Sequence, residues 1–323
     1  MFKGAIMKRL MIIVPCYNEQ EVLPTTIEKL SSLIENLSNN GKISNDSGIL
    51  FVNDGSTDDT WNIISNAHKN NTNIYGINLI LNSGHQNALL AGLEYSYKNC
   101  DMTITIDADL QDDIDVIEQM IDKYHEGNHI VYGVRKDRAT DSIFKRSTAN
   151  IFYKLMKFLG AKTVDNHADF RLMSSKAVEI LMQYKERNMF LRGLVTKIGL
   201  KSDCVFYCRK EREAGVTKYP FKKMLSFAWE GITSLSTKPL KLIMILGLII
   251  IICSVFALAY VLISYFLNST NRGWASLMIS IWFLGGVQLF SVGMVGQYVG
   301  KTYIETKERP RYTVSEILDY EDK

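Results

Sequence analysis

The sequence predicts an α/β fold built on a largely parallel sheet, followed by a pair of apolar helices near the C-terminal end. Three observations point there. Short apolar runs alternate with helical periodicity up to about Val134, three of these runs end directly in polar clusters, and charge nearly vanishes between Pro239 and Gly300. Strand-then-helix repetition implies right-handed crossovers and helices on the faces of a parallel sheet.

Each element follows from local pattern. Leu10–Val14 reads as a strand, and Val22–Leu37 as an amphipathic helix with Leu23, Ile27, Leu30, Leu33, Ile34 and Leu37 at helical spacing. Asn39–Ser47 is polar and contains Gly41, so it is a loop. Ile49–Val52 is the second strand, and Thr57–Lys69 a helix opened by Ser56. Ile74–Leu81 is extended, Gln86–Tyr97 helical, Met102–Ile106 a strand, Ile114–Tyr124 a helix, and Ile130–Val134 a closing strand. Beyond Asp141 the pattern is mixed. Lys145–Leu159 and Ser174–Tyr184 read as helices and Ser202–Cys208 as a strand. Tyr219–Leu235 is amphipathic, which suits either a core helix or one lying on a membrane surface.

Leu240–Leu267 carries no charge after Lys241, and Trp274–Val299 carries none. Each exceeds the roughly 20 apolar residues that cross a bilayer. Lys222, Lys223, Lys238 and Lys241 precede the first run, Lys301, Lys307, Arg309 and Arg311 follow the second, and only Arg272 lies between. The positive-inside rule then expects a multi-pass protein of the cytoplasmic membrane with both ends in the cytoplasm. The expected division is a catalytic unit over 1–218, interface helices over 219–238, two spans within 239–300 and a cytoplasmic tail over 301–323.

Composition excludes several classes. A net charge of +3, with no basic block interleaved with aromatics, argues against nucleic acid as a partner. The five cysteines are odd in number and irregularly spaced, which suits a reduced compartment better than a disulfide framework or a zinc site. The Leu10–Val14 run is too short for the core of a signal peptide.

Ligands of open α/β sheets bind beyond the carboxyl ends of the strands. Tyr17-Asn18-Glu19, Asn53-Asp54-Gly55 and Asp107-Ala108-Asp109 all fall there. Alternation along an extended chain turns Asp107 and Asp109 to one side. Two like charges so placed repel unless a cation joins them, and Mg²⁺ is held by one or two carboxylates while water and a diphosphate complete its shell. Turn chemistry and helix capping account for Gly55 and Ser56, but less well for Asp54.

Together, Val14-Pro15-Cys16-Tyr17-Asn18-Glu19, Val52-Asn53-Asp54-Gly55-Ser56-Thr57-Asp58-Asp59-Thr60 and Asp107-Ala108-Asp109-Leu110-Gln111-Asp112 resemble the family 2 glycosyltransferases. Gly133-Val134-Arg135, Phe144-Lys145-Arg146, His167-Ala168-Asp169-Phe170-Arg171-Leu172-Met173 and Arg212-Glu213-Ala214-Gly215-Val216-Thr217-Lys218-Tyr219-Pro220 narrow the likeness to the polyprenyl-phosphate glycosyltransferases. That subgroup includes dolichol-phosphate mannose synthases and bacterial enzymes with two C-terminal spans.

The resemblance implies a GT-A, Rossmann-like catalytic domain carrying a C-terminal two-helix transmembrane hairpin. It implies an inverting hexosyltransferase acting from a nucleotide-sugar, UDP-glucose or UDP-N-acetylglucosamine, onto polyprenyl (undecaprenyl) phosphate for a cell-envelope glycan, with GDP-mannose as the rival donor. Pro15, Tyr17, Glu19 and Asp54 would hold base and ribose. Asp107 and Asp109, with Gln111 nearby, would hold Mg²⁺ or Mn²⁺ and the diphosphate, over which Arg212, Lys218 and Tyr219 would close. Arg135, Arg146 and Arg171 would meet the acceptor phosphate. Asp169 would act in catalysis or shape the acceptor side, an internal Asp169–Arg171 ion pair being the structural alternative. His85 reads as a loop residue. The two-span enzymes also suggest a homo-oligomer, a tetramer.

Rival readings fit less well. A processive polysaccharide synthase needs a Gln-x-x-Arg-Trp segment, yet none of the four tryptophans follows an arginine. A non-catalytic membrane adaptor has no reason to keep Asp107, Asp109 and Lys218 together. A dinucleotide-dependent oxidoreductase needs a glycine-rich turn after the first strand, where Pro15–Glu19 has no glycine.

Overall fold

A computed structural model describes residues 7–135, 167–187, 190–208, 233, 236–266 and 273–319. The expected helices at Lys145–Leu159 and Tyr219–Leu235 lie outside the described residues.

Among the described residues, eight strands form one sheet: β1 Leu10–Cys16, β2 Gly48–Asn53, β3 Ile74–Leu79, β4 Met102–Thr105, β5 Ile130–Arg135, β6 His167–Ser174, β7 Ser202–Tyr207 and β8 Val314–Leu318. Their order is β7-β5-β6-β4-β1-β2-β3-β8. The helices are α1 Leu23–Asn39, α2 Thr60–Asn70, α3 His85–Asn99, α4 Ile117–His125, α5 Ser175–Met182, α6 Leu191–Val195, α7 Lys238–Phe266 and α8 Trp274–Thr306.

The expected parallel sheet is present in its centre, where β4, β1, β2 and β3 run parallel. The sheet as a whole is mixed. β6 enters between β4 and β5, antiparallel to both, and β8 pairs antiparallel with β3. Two strands escaped the sequence pattern for physical reasons. β6 carries Asp169 and Arg171 inside a central strand, so it lacks a continuous apolar run, although Phe170, Leu172 and Met173 are buried. β8 is a short, half-exposed edge strand, where apolar alternation is weak.

Period-two alternation sorts the core onto the two faces. Ile12, Val14, Phe51, Ile104 and Leu172 pack beneath α1, α2 and α4, while Met11, Ile13, Leu50 and Val52 pack against α3, α5 and α6. Each such aliphatic side chain contributes about 1.5–3 kcal/mol through burial. Helix α3 lies unusually close to the sheet. A Cβ at Gly92 would stand 2.4 Å from Ile13 Cγ2, so a side chain there would force Ile13 or the helix to shift.

α7 and α8 are 29 and 33 residues long and touch one another. Over the described residues, no helix is long and apolar enough to cross a membrane. Large apolar side chains nonetheless stand exposed along both, among them Leu248, Phe256, Leu289 and Phe290. The chain then returns to the catalytic unit. Arg187 N–H donates to both Glu305 oxygens at 2.8 Å, Tyr312 Oη donates to Glu94, and β8 joins the sheet. Part of the expected tail is therefore a strand of the catalytic sheet.

Candidate active site

The site forms where β1, β2 and β4 end. The first two of these loops are stitched together. Asn18, in the left-handed region at φ 55°, donates its backbone N–H to Ser56 Oγ, and its Oδ1 accepts from Thr57 N. Glu19 N donates to Thr60 Oγ1, and Gln20 Oε1 accepts from Asp59 N. Asp58 takes the Thr60 N–H at the start of α2, so Thr57–Asp59 belong to the loop rather than to the expected helix. Gly55, at φ 64°, abuts the next loop, where a Cβ would lie 2.5 Å from Asn82 N.

Asp54 was expected at the nucleotide. It is buried, and its oxygens accept from Ser83 N at 2.7 Å and Gly84 N at 3.0 Å. Burial pushes its pKa up, against those two hydrogen bonds and His85. Its observed contacts anchor the loop that opens α3, and so aim His85 at the cavity.

That cavity, of about 430 Å³, is lined by Pro15, Glu19, His85, Gln86, Asp107, Ala108, Asp109, Asp169, Phe190 and Arg192. β4 ends before Asp107, yet the expected sidedness holds. Asp107 and Asp109 keep exposure while Ala108 between them is buried, its carbonyl accepting from Thr26 Oγ1 at 2.7 Å. Leu110 closes the turn at φ 44°, a costly backbone state for a branched side chain. The Asp107 side chain is 43% exposed, but to the cavity, where the protein surrounds it. Desolvation pushes its pKa up to about 6; His85 opposes this, and Asp169, Asp112 and Asp109 add to it.

Asp169 is paired on both of its oxygens. Arg171 Nη2 lies 2.6 Å from its Oδ1 and Arg192 Nη2 2.9 Å from its Oδ2. His85 Nε2 bridges, 3.7 Å from Asp169 Oδ2 and 3.6 Å from Asp107 Oδ1. Burial works against the Asp169 charge, but His85, Arg192 and Arg171 outweigh it and hold its pKa well below the carboxylate range. The same carboxylates raise the His85 pKa in spite of burial.

The expected acceptor ligands fare differently. Arg171 is 2% exposed and bound to Asp169, with Nε and Nη1 buried and unpartnered among the described residues. The internal Asp169–Arg171 ion pair is the arrangement observed. Arg135 lies 2.8 Å from buried Asp112, which also accepts from Tyr207 Oη at 2.6 Å, so its charge is already offset. Gln111 is buried, and its backbone N–H rather than its side chain meets Asp109. Tyr17, in the loop after β1, is exposed and is not among the residues lining the cavity. Arg146, Arg212, Lys218 and Tyr219 lie outside the described residues.

Residues 11–181 match the family model described as glycosyl transferase family 2. The chain belongs to glycosyl transferase family 2. It is 52% identical over 305 residues to the "Uncharacterized glycosyltransferase YkoT" of Bacillus subtilis (strain 168), covering 94% of this chain and 90% of the relative. It is 39% identical to the "Prophage bactoprenol glucosyl transferase homolog" of Escherichia coli (strain K12), covering 96% and 99%. It is also 39% identical to the "Bactoprenol glucosyl transferase" of Shigella phage SfX, covering 95% and 98%. This family 2 glycosyltransferase therefore has a GT-A-like mixed sheet.

Sequence reasoning missed Arg192 and undervalued His85. Neither sits in a strand-end cluster. Arg192 comes from the short helix α6, and His85 reaches the site only because Asp54 fixes the Ser83–Gly84 loop. The Asn82-Ser83-Gly84-His85-Gln86 segment ahead of an apolar helix was the available signal.

Proposed function

We propose that this chain transfers glucose from UDP-glucose to a polyprenyl phosphate at the cytoplasmic face of a membrane. The observation that carries the reading is the Asp107–Asp109 pair facing a cavity at the strand ends. The relatives named bactoprenol glucosyl transferase, matched along nearly their whole length, support the lipid acceptor and glucose.

Among the described residues, no cluster of three or more His, Cys, Asp or Glu encloses an ion. Two carboxylates opening onto a cavity fit a different kind of site, one that a divalent cation shares with a diphosphate. Asp107 and Asp109 would hold Mg²⁺ or Mn²⁺, which supplies positive charge to the departing diphosphate. Burial first, and then the neighbouring carboxylates, raise the Asp107 pKa; a cation there would offset both.

A phosphate monoester has a second pKa of about 6, so the acceptor is already close to a dianion at neutral pH. One of its oxygens attacks the anomeric carbon while the bond from that carbon to the UDP oxygen breaks. The configuration inverts, UDP leaves with the bonding pair, and no proton must be removed. Asp169 suits a positioning role here, because two guanidinium groups already use its charge and the His85 imidazole stands beside it. Arg192 and His85 add positive potential beside the two carboxylates.

The charge-free runs within α7 and α8 support two membrane spans. The return of β8 to the catalytic sheet supports placing both ends of the hairpin on the catalytic side.

The test is to incubate membranes containing the protein with labelled UDP-glucose, UDP-N-acetylglucosamine and GDP-mannose. Label from UDP-glucose should appear in solvent-extractable, phosphate-linked lipid. Label only from another donor would overturn the sugar assignment, and none in lipid would overturn the acceptor.

A further inference from the structure

A separate, basic cleft lies where α8 meets the catalytic unit. It encloses about 290 Å³ and is lined by Asn87, Arg187, Tyr303, Ile304, Lys307, Arg309, Pro310 and Arg311, with no acidic side chain among them. Arg187 and Arg311 also line an adjoining cavity of about 1050 Å³, where the charges are mixed.

The two guanidinium groups are set in place by the backbone. Arg311 Nη2 donates to Tyr184 O at 2.8 Å and Arg187 Nη2 to Glu308 O at 3.0 Å. Neither has a carboxylate within ion-pair distance among the described residues. Arg311 Nε is buried without a hydrogen-bond partner. Glu308 between α8 and these residues adopts φ 47°, a strained state that presents Arg309 and Arg311 beside the helix end. Burial, with Arg187, lowers the Arg311 pKa, against Tyr312 and the carboxylates of Glu305 and Glu94.

An apolar stripe leads to this cleft. Val292, Val295, Val299 and Tyr303 follow one another at spacings of three and four on α8, so they share a face. All four are exposed, at 63%, 50%, 61% and 58%. A guanidinium fork matches phosphate oxygens, and the stripe offers an acyl chain its path. The geometry points to a binding site for the headgroup phosphate of an anionic phospholipid, separate from the catalytic cavity, at Arg187, Lys307, Arg309 and Arg311. This rests on the reading of α8 as a membrane helix, which places the cleft at the cytoplasmic surface of the bilayer.

The test uses full-length protein in neutral detergent, titrated with short-chain phosphatidylglycerol, short-chain phosphatidylcholine and inorganic phosphate. Phosphatidylglycerol should bind about tenfold or more tightly than either of the others, given the attraction of each basic residue to an anionic headgroup. The Lys307→Gln/Arg309→Gln double variant alters two exposed side chains and should keep the wild-type Tm. It should weaken phosphatidylglycerol binding about tenfold or more, and leave transfer to polyprenyl phosphate in neutral detergent unchanged. Equal binding of the two phospholipids, equal binding of inorganic phosphate, or full phosphatidylglycerol affinity in the variant would overturn the site. A raised KM for polyprenyl phosphate in the variant would make the cleft an acceptor site and overturn it too. Extraction of the protein from membranes by alkaline carbonate would instead refute the membrane reading, whatever the titrations give.

Discussion

Arg192 grips Asp169 through three contacts, with Nε at 3.3 and 3.2 Å from the two carboxylate oxygens and Nη2 at 2.9 Å from Oδ2. Residues 23 apart, on a helix and a strand, thus form a fork on the cavity wall. Arg171 and His85 complete it, and this explains why a buried carboxylate stays ionised.

Removing the Asp169 charge strands the buried Arg171. Asp169→Asn should destabilise the protein by about 3 kcal/mol, the usual cost of leaving one member of a buried pair uncompensated. The pH dependence has a definite sign. The folded pKa of Asp169 lies below its unfolded value, so its stabilisation is present above about pH 4 and is lost as pH falls towards the folded pKa. Tm measured against pH should show a shallower acid decline in Asp169→Asn than in wild type. In the rate profile, the variant should be slower with no loss of a basic limb, and disappearance of such a limb would make Asp169 a general base.

Lysine at position 192 keeps the charge but not the fork. A hydrogen bond to a charged group contributes about 1.5–3 kcal/mol. Arg192→Lys should lower kcat by about tenfold or more, with UDP affinity changed far less. Unchanged kcat would show that the fork does not position the reacting groups.

The metal prediction concerns Asp109, one of the two carboxylates facing the cavity. Asp109→Asn preserves shape and removes one charge. If the cation contributes several kcal/mol to departure of the diphosphate, transfer should fall by about a hundredfold or more. EDTA should abolish wild-type activity, and added Mn²⁺ or Mg²⁺ should restore it. Full turnover in EDTA would remove the cation from the reaction.

Deleting 312–323 should destabilise the catalytic sheet, because β8 covers the β3 edge. Leu318 lies against Gly76, where a Cβ would be 3.0 Å from its Cδ1, and Trp61 Nε1 donates to Glu316 Oε2 at 3.2 Å. The expected loss is about 1–3 kcal/mol, the scale of one buried aliphatic side chain plus ladder bonds. Hydrogen exchange at Ile74–Leu79 should rise in the truncated chain. Unaltered protection there would show β8 to be dispensable.

Much of this protein was legible before folding was considered. Period-two and 3.6-residue patterns placed β1 to β5 and α1 to α4, since each buries a regular face. The strand-end clusters located the cavity, because a parallel sheet opens its crevice at carboxyl ends. Tertiary structure decided the rest. Strand order is set by pairing between distant segments, so β6 between β4 and β5, and β8 on β3, left no local trace. The roles of single charged residues depend on which neighbours arrive. The sequence does not show that β6 sets Arg171 against Asp169, or that the β7 edge brings Tyr207 to Arg135 beside Asp112. Arg192 and His85 entered the site by the same kind of long-range contact. Local sequence determines which segments can bury a face. The partner of a buried charge is chosen only when the chain closes around it, because desolvation leaves that charge no tolerable alternative.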